Sequence, residues 1–258
     1  EIPAGTTLNV QVDTWGTIFN GAISGGGAID KLQNAGYLVL NNGANSFSGG
    51  LTIRAEDGEF FIANVNASGA MGTGPVRLYG GAFRADISNI GGLIFGGTTS
   101  HTNPISLFQN STIGAGGVSS PGTVTLNGDV DLNAYTLYLR GCGAGTLCGV
   151  VSEGGSDAIR KLDRGAWTLS AANTFTGCVT VADGTLRLGA ANAISPAVPL
   201  TVSGGTYDLG GFSVSNSSVA FSAGSIVNGS LQALSFAATD TGFVSAMLAG
   251  ASGIAKSG

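Results

Sequence analysis

The chain has 258 residues, 45 of them glycine, with only 10% charged and a formal net charge of −5. Hydrophobic residues at 43% are too many for a disordered polymer, and the glycines lack the period of three that collagen requires. The acidic balance disfavours nonspecific nucleic-acid binding, and no apolar run of about 18 residues marks a membrane helix, so this segment is not expected to insert directly into a membrane.

In chain order, Glu1-Ile2-Pro3-Ala4-Gly5 lacks the basic region and apolar run of a signal peptide, as expected of a mature or excised piece. Short alternating strands follow, beginning with Leu8-Asn9-Val10-Gln11-Val12. A first module is expected at about 21–95, with strands at Tyr37-Leu38-Val39-Leu40 and Leu51-Thr52-Ile53. A divergent stretch at about 97–148 carries Val124-Thr125-Leu126 and Leu137-Tyr138-Leu139. A second module is expected at about 149–218, and a third begins at about 246–258. Each strand puts Val, Leu or Ile on one side and polar or small residues on the other. Gly-Gly, Asn-Gly and Asp-Gly pairs punctuate them, and no helical stretch of three turns is evident.

The two modules share a pattern. Leu38-Val39-Leu40 leads to Asn45-Ser46-Phe47-Ser48-Gly49, as Trp167-Thr168-Leu169 leads to Asn173-Thr174-Phe175-Thr176-Gly177. Upstream, Ala28-Ile29-Asp30-Lys31-Leu32 matches Ala158-Ile159-Arg160-Lys161-Leu162. The third copy starts at Leu248-Ala249-Gly250-Ala251-Ser252-Gly253-Ile254-Ala255-Lys256, and stopping inside a module is expected of a piece of something longer. Self-similarity at a long period points to stacked coils. The expectation is an all-β single solenoid over 1–258, a parallel β-helix of roughly 11 coils of about 20–25 residues, forming a rod near 55 Å. A pair of sandwiches also has short strands and regular turns, but no polar linker divides this chain.

These residues resemble the passenger-associated transport repeat of bacterial autotransporters, also called the autotransporter-associated β-strand repeat. The best copy runs from about Ile159 to Phe212, including Asp183-Gly184-Thr185-Leu186-Arg187-Leu188-Gly189. The first copy departs from it, with Gly58-Glu59-Phe60-Phe61-Ile62 in place of Gly-Thr-Leu-Arg-Leu. The resemblance implies a right-handed parallel β-helix, secreted or displayed on the cell surface. It also implies a repeat concerned with export and folding of the passenger, without catalytic residues.

Candidate chemistry is sparse. His101, the lone histidine, lies in Ser100-His101-Thr102-Asn103-Pro104 and reads as a surface loop residue with no signature of a nucleophile or orienting acid. Cys142 and Cys148 enclose five residues, and a small disulfide loop is expected between them in an oxidising compartment; buried thiols are the alternative. Cys178 stands where the first copy has Gly50 and reads as a packing residue. No Cys and His spacing suits zinc, and no cofactor is expected. Asp129 and Asp131 would share one face of a strand, too few carboxylates for calcium and better read as solvated. Glu56, Asp57 and Glu59 read as a solvated loop, and the stretch from Glu153 to Arg164 as salt-bridged. Asn66, Asn110, Asn216 and Asn228 each open an Asn-x-Ser/Thr sequence and read as polar turns.

The repeat positions Lys31, Asn45, Phe47, Gly49, Lys161, Asn173, Phe175 and Gly177 read as structural. The asparagines would hydrogen-bond at corners, the phenylalanines fill the interior, and the glycines let the next strand start. Three functions are weighed. The first is a non-enzymatic surface or secreted scaffold with adhesive loops, whose partners are further coils of the parent polypeptide and a host-cell, matrix or glycan ligand. The second is a self-assembling extracellular fibre. The third, a carbohydrate-active β-helix enzyme, would need a charged groove that the scattered charges do not supply.

Overall fold

The alternating strands wind into a β-solenoid. The computed structural model describes residues 1–11, 16–32, 36–54, 62–80, 92–117, 121–239, 242–250 and 254–256. Glu56, Asp57 and Glu59 lie outside these residues. Among the described residues every strand-to-strand pairing is parallel, apart from one isolated antiparallel bridge between Gly116 and Pro121, and there is no helix.

A complete coil visits three ladders, as in Ile105–Leu107, Ser111–Ala115 and Thr123–Leu126. The first ladder stacks Thr7–Val10, Ala28–Lys31, Leu51–Arg54, Val76–Tyr79, Ile105–Leu107, Val130–Asp131 and Val151–Ser152. Turns through Asn173 and Ala193 continue that side, followed by Ser213–Asn216, Ser230–Ala233 and Met247–Gly250.

The second ladder runs unbroken from Thr17–Phe19 to Ile254–Lys256 in twelve rungs. Its eleven steps at about 4.8 Å each give a rod of roughly 53 Å. The third ladder passes through Thr98–His101, Thr123–Leu126, Ala144–Leu147, Ala166–Leu169 and Thr185–Leu188. Leu200–Asp208 and Val219–Val227 bend at register shifts and serve both the second and third ladders. Those two long strands join the ladders into one 18-stranded sheet.

The core follows from the alternation. In Leu51–Arg54, Leu51 and Ile53 point inward while Thr52 and Arg54 face out. Stacking aligns like with like, so Ile29, Leu51, Val76, Ile105, Val130 and Val151 form one buried column. Each such side chain contributes about 1.5–3 kcal/mol of burial. One aromatic depends on its neighbour in the preceding coil: Trp167 is in register with Gly145, where a Cβ would lie 2.4 Å from the indole. Nothing larger than hydrogen fits there.

The two modules do not occupy the same sides of the rod. Lys31 ends a strand of the first ladder, and the strand that follows it in the chain, Leu38–Leu40, belongs to the second. Lys161 ends Asp157–Lys161, a strand of the second ladder, and the following Ala166–Leu169 belongs to the third. The second copy is therefore turned by one side relative to the first. The strand Ile254–Lys256 returns to the ladder of Lys161.

Candidate functional site: buried polar positions of the repeat

The inward alternation of Asp157–Lys161 carries a lysine into the core, and Lys161 is fully buried. Its Nζ donates to the carbonyls of Leu162 at 2.6 Å and Asp183 at 3.1 Å, and to that of Asp163. Asp163 adopts a left-handed φ of 59° in the turn that presents these oxygens. Burial pulls the ammonium down to about 8; Asp163 and Asp183 oppose the shift, and Arg140 adds to it.

Arg140 is itself buried and clasps Asp163 through two contacts, Nη2 to Oδ1 at 3.0 Å and Nε to Oδ2 at 3.1 Å. Asp163 Oδ2 also accepts from the Gly141 amide, while Trp167 Nε1 donates to the Arg140 carbonyl at 2.9 Å. The arrangement ties three successive coils together at one corner. Lys31 is equally buried and donates to the Leu32 carbonyl at 2.7 Å. Both ammonium groups are buried and hold backbone carbonyl oxygens.

Asn173 spans three coils. Its Oδ1 accepts from the Val151 amide at 2.7 Å, and its Nδ2 donates to the Ala193 carbonyl at 2.7 Å. Asn45 makes the same pair of bonds, with Ile23 and Ala70, both at 2.8 Å. Phe47 and Phe175 fill the interior beside them. The adjacent coil presses on the glycines: a Cβ on Gly49 would meet the Gly27 carbonyl carbon at 2.5 Å, and one on Gly177 the Gly155 oxygen at 1.9 Å.

Asn66 and Asn216 read in the sequence only as polar turns, and the stacking of these and other polar residues was not read from it. Asn20, Asn41 and Asn66 form a ladder of amides along one corner, each Nδ2 to Oδ1 link being 2.8 Å. Asn103 and Asn216 are two further buried asparagines. The sequence signal for all of them is weak, because the coils that bring them together vary in length.

Three expectations need correction. Asn216, read as a polar turn, ends the strand Ser213–Asn216 and is 3% exposed. Cys142 and Cys148 are free thiols at opposite ends of Ala144–Leu147. That strand, at about 3.3 Å per residue, holds them more than roughly 10 Å apart, beyond the reach of a disulfide. His101 is no surface loop residue either. It ends Thr98–His101, is 3% exposed, packs against Phe95 with ring centroids 4.9 Å apart, and neither ring nitrogen has a partner. Burial lowers its pKa to about 4.

Cys178, half-buried, lies near Thr201 Oγ1. Asp129 accepts from the Val150 amide and Asp131 from that of Asn133, so both carboxylates serve local backbone. Among the described residues no three His, Cys, Asp or Glu side chains stand together as a metal site. In the charged stretch, Arg160 lies 3.7 Å from Asp157.

The family model of the passenger-associated-transport repeat matches residues 33–55 and 159–188, which include the corner asparagines Asn45 and Asn173 and the buried Lys161. The chain carries two copies of that repeat. It is similar to the Adhesin BmaC autotransporter of Brucella suis biovar 1 (strain 1330), with 34% identity over 217 residues. That alignment covers 83% of this chain and 6% of the adhesin, so the chain spans a small part of the relative it matches. No solved structure matches it significantly. Repeat and relative together identify an autotransporter-type passenger segment, located at the cell surface or outside the cell.

Proposed function

We propose that this segment is a non-enzymatic adhesive scaffold, a stretch of rod in a longer surface polypeptide whose further coils are its neighbours along the axis. The observation that carries this reading is the similarity to an adhesin along most of the chain. Geometry supports it. The histidine is enclosed in the core, and the buried cations hold backbone carbonyls rather than lining a cleft. The repeat modules at about 21–95 and 149–218 brace the rod in this reading, and the divergent stretch at about 97–148 gives loops room to vary.

The test is adhesion itself. Beads coated with the purified chain should bind cultured host cells or matrix-coated wells above beads carrying an unrelated protein of similar charge. Retention no better than the control across cell and matrix types would refute the adhesive reading. Turnover of a glycan substrate panel would refute the non-enzymatic one.

A further inference from the structure

The third ladder begins with Thr98–His101, a strand unlike the one stacked after it. Thr123–Leu126 sends Val124 and Leu126 into the core, whereas Thr98–His101 has no aliphatic side chain to send. Its inward residues are Thr99 and His101, both buried. Thr99 Oγ1 and the two ring nitrogens of His101 are enclosed without a hydrogen-bond partner, so each keeps the cost of its lost hydration.

The strand is also paired on one side. Among the described residues its ladder partner is Thr123–Leu126 alone. Toward the preceding coil it meets the turn holding Ser68, whose Oγ accepts from the Ser100 amide at 2.9 Å. Both flanks are anchored. Upstream, the Gly96 amide donates to the Val65 carbonyl at 3.1 Å, and Gly97 takes a left-handed φ of 65°. Downstream, Asn103 Nδ2 donates to the carbonyls of Gly72 at 3.2 Å and Gly74 at 2.7 Å. A short segment without aliphatic anchors, fixed at both ends, can open while neighbouring coils stay folded.

The imidazole supplies the trigger. It packs on Phe95 and stands in register with Leu126 of the next coil. Gly92–Phe95, Thr123–Leu126 and the Ser68 turn carry no titratable side chain, so none of them offers a carboxylate to an imidazolium. Burial lowers the pKa of the ring to about 4, with no charged group contributing. Released into water, the ring protonates near 6.5. The released form therefore takes up the extra proton, and release is favoured as pH falls from about 6.5 toward 4.

We propose that Thr98–His101 is an acid-released strand: protonation of His101 frees it from the third ladder between the anchors at Gly97 and Asn103, while the rest of the solenoid stays wound. Release uncovers the face of Phe95 that the imidazole covers. It also leaves one edge of Thr123–Leu126 without its ladder partner, and an unpaired edge is a template for pairing with another chain. This device goes beyond the adhesive reading and does not depend on it.

The experiment is hydrogen exchange of the whole chain at pH 7, 5.5 and 4, read by mass spectrometry as protection relative to free-peptide exchange at each pH. Protection in peptides covering 98–101, and at the Asn127 amide that donates to the His101 carbonyl, should fall on the order of a hundredfold between pH 7 and pH 4. Ala144–Leu147 and Ala166–Leu169, farther along the same ladder, should keep theirs. His101→Leu should abolish the fall; His101→Gln, neutral and polar, is the second variant should leucine disturb the packing. Level protection in the parent, an equal fall in the variants, or loss over all coils together would overturn the proposal.

Discussion

Acid should unfold this protein in part through one residue, His101. The unfolded imidazole protonates near 6.5, whereas the folded one, desolvated against Phe95, resists protonation until about 4. Between those values the unfolded chain binds the extra proton, so stability falls as pH drops through the window and this residue contributes no slope above it. At about 1.4 kcal/mol per pKa unit, the full loss is about 3 kcal/mol. The substitution that isolates this effect is His101→Leu, since His101 heads an interior column continued by Leu126, Leu147, Leu169 and Leu188. Leucine there also removes two orphaned ring nitrogens, a gain of about 1–3 kcal/mol at neutral pH set against some repacking. Urea unfolding of parent and variant at pH 7, 5.5 and 4 gives the comparison, with carboxylate effects common to both. The stability gap should widen by about 3 kcal/mol as pH falls to 4. A gap that stays constant across the series would refute the placement of a neutral, unpartnered histidine in the core.

Asn173→Ala should lower stability by about 2–4 kcal/mol by stranding the Val151 amide and the Ala193 carbonyl, read by thermal unfolding and by new protease cleavage nearby. Equal stability of variant and parent would remove the corner assignment. Gly145→Ala should displace the Trp167 indole, seen as a red shift and loss of intensity in tryptophan emission; an unchanged spectrum would contradict the close stacking. Three free thiols should react with a thiol reagent in the denatured chain without prior reduction, and recovery of one thiol would restore the disulfide expectation.

The fold class was legible because the strand alternation and the module pattern agree with each other. Leu38-Val39-Leu40 and Trp167-Thr168-Leu169 carry the inward and outward rhythm in their own residues, and the spacing to Asn45 and Asn173 repeats with them. His101 was misplaced because Thr102-Asn103-Pro104 looks like a turn, while its burial is decided by Leu126, which stacks on it from a different coil. The cysteine pair misled in the opposite direction: a short sequence separation suggests proximity, but an extended strand fills it. The amide ladder of Asn20, Asn41 and Asn66 depends on coil lengths that local patterns do not state.

The offset between the modules makes segment length a directional variable. From the strand of Lys31 to that of Lys161 the chain completes five coils and then advances one further side. From Lys161 to Lys256 it completes five coils and returns to the same side. All three sides share the same inward and outward rhythm, so the interior accepts either phase. A duplication or deletion between modules therefore does more than lengthen or shorten the rod. When the change is not a whole number of coils, it swings every loop beyond it to a new compass bearing, so that a surface once facing away from a target comes to face it with no change in its own residues.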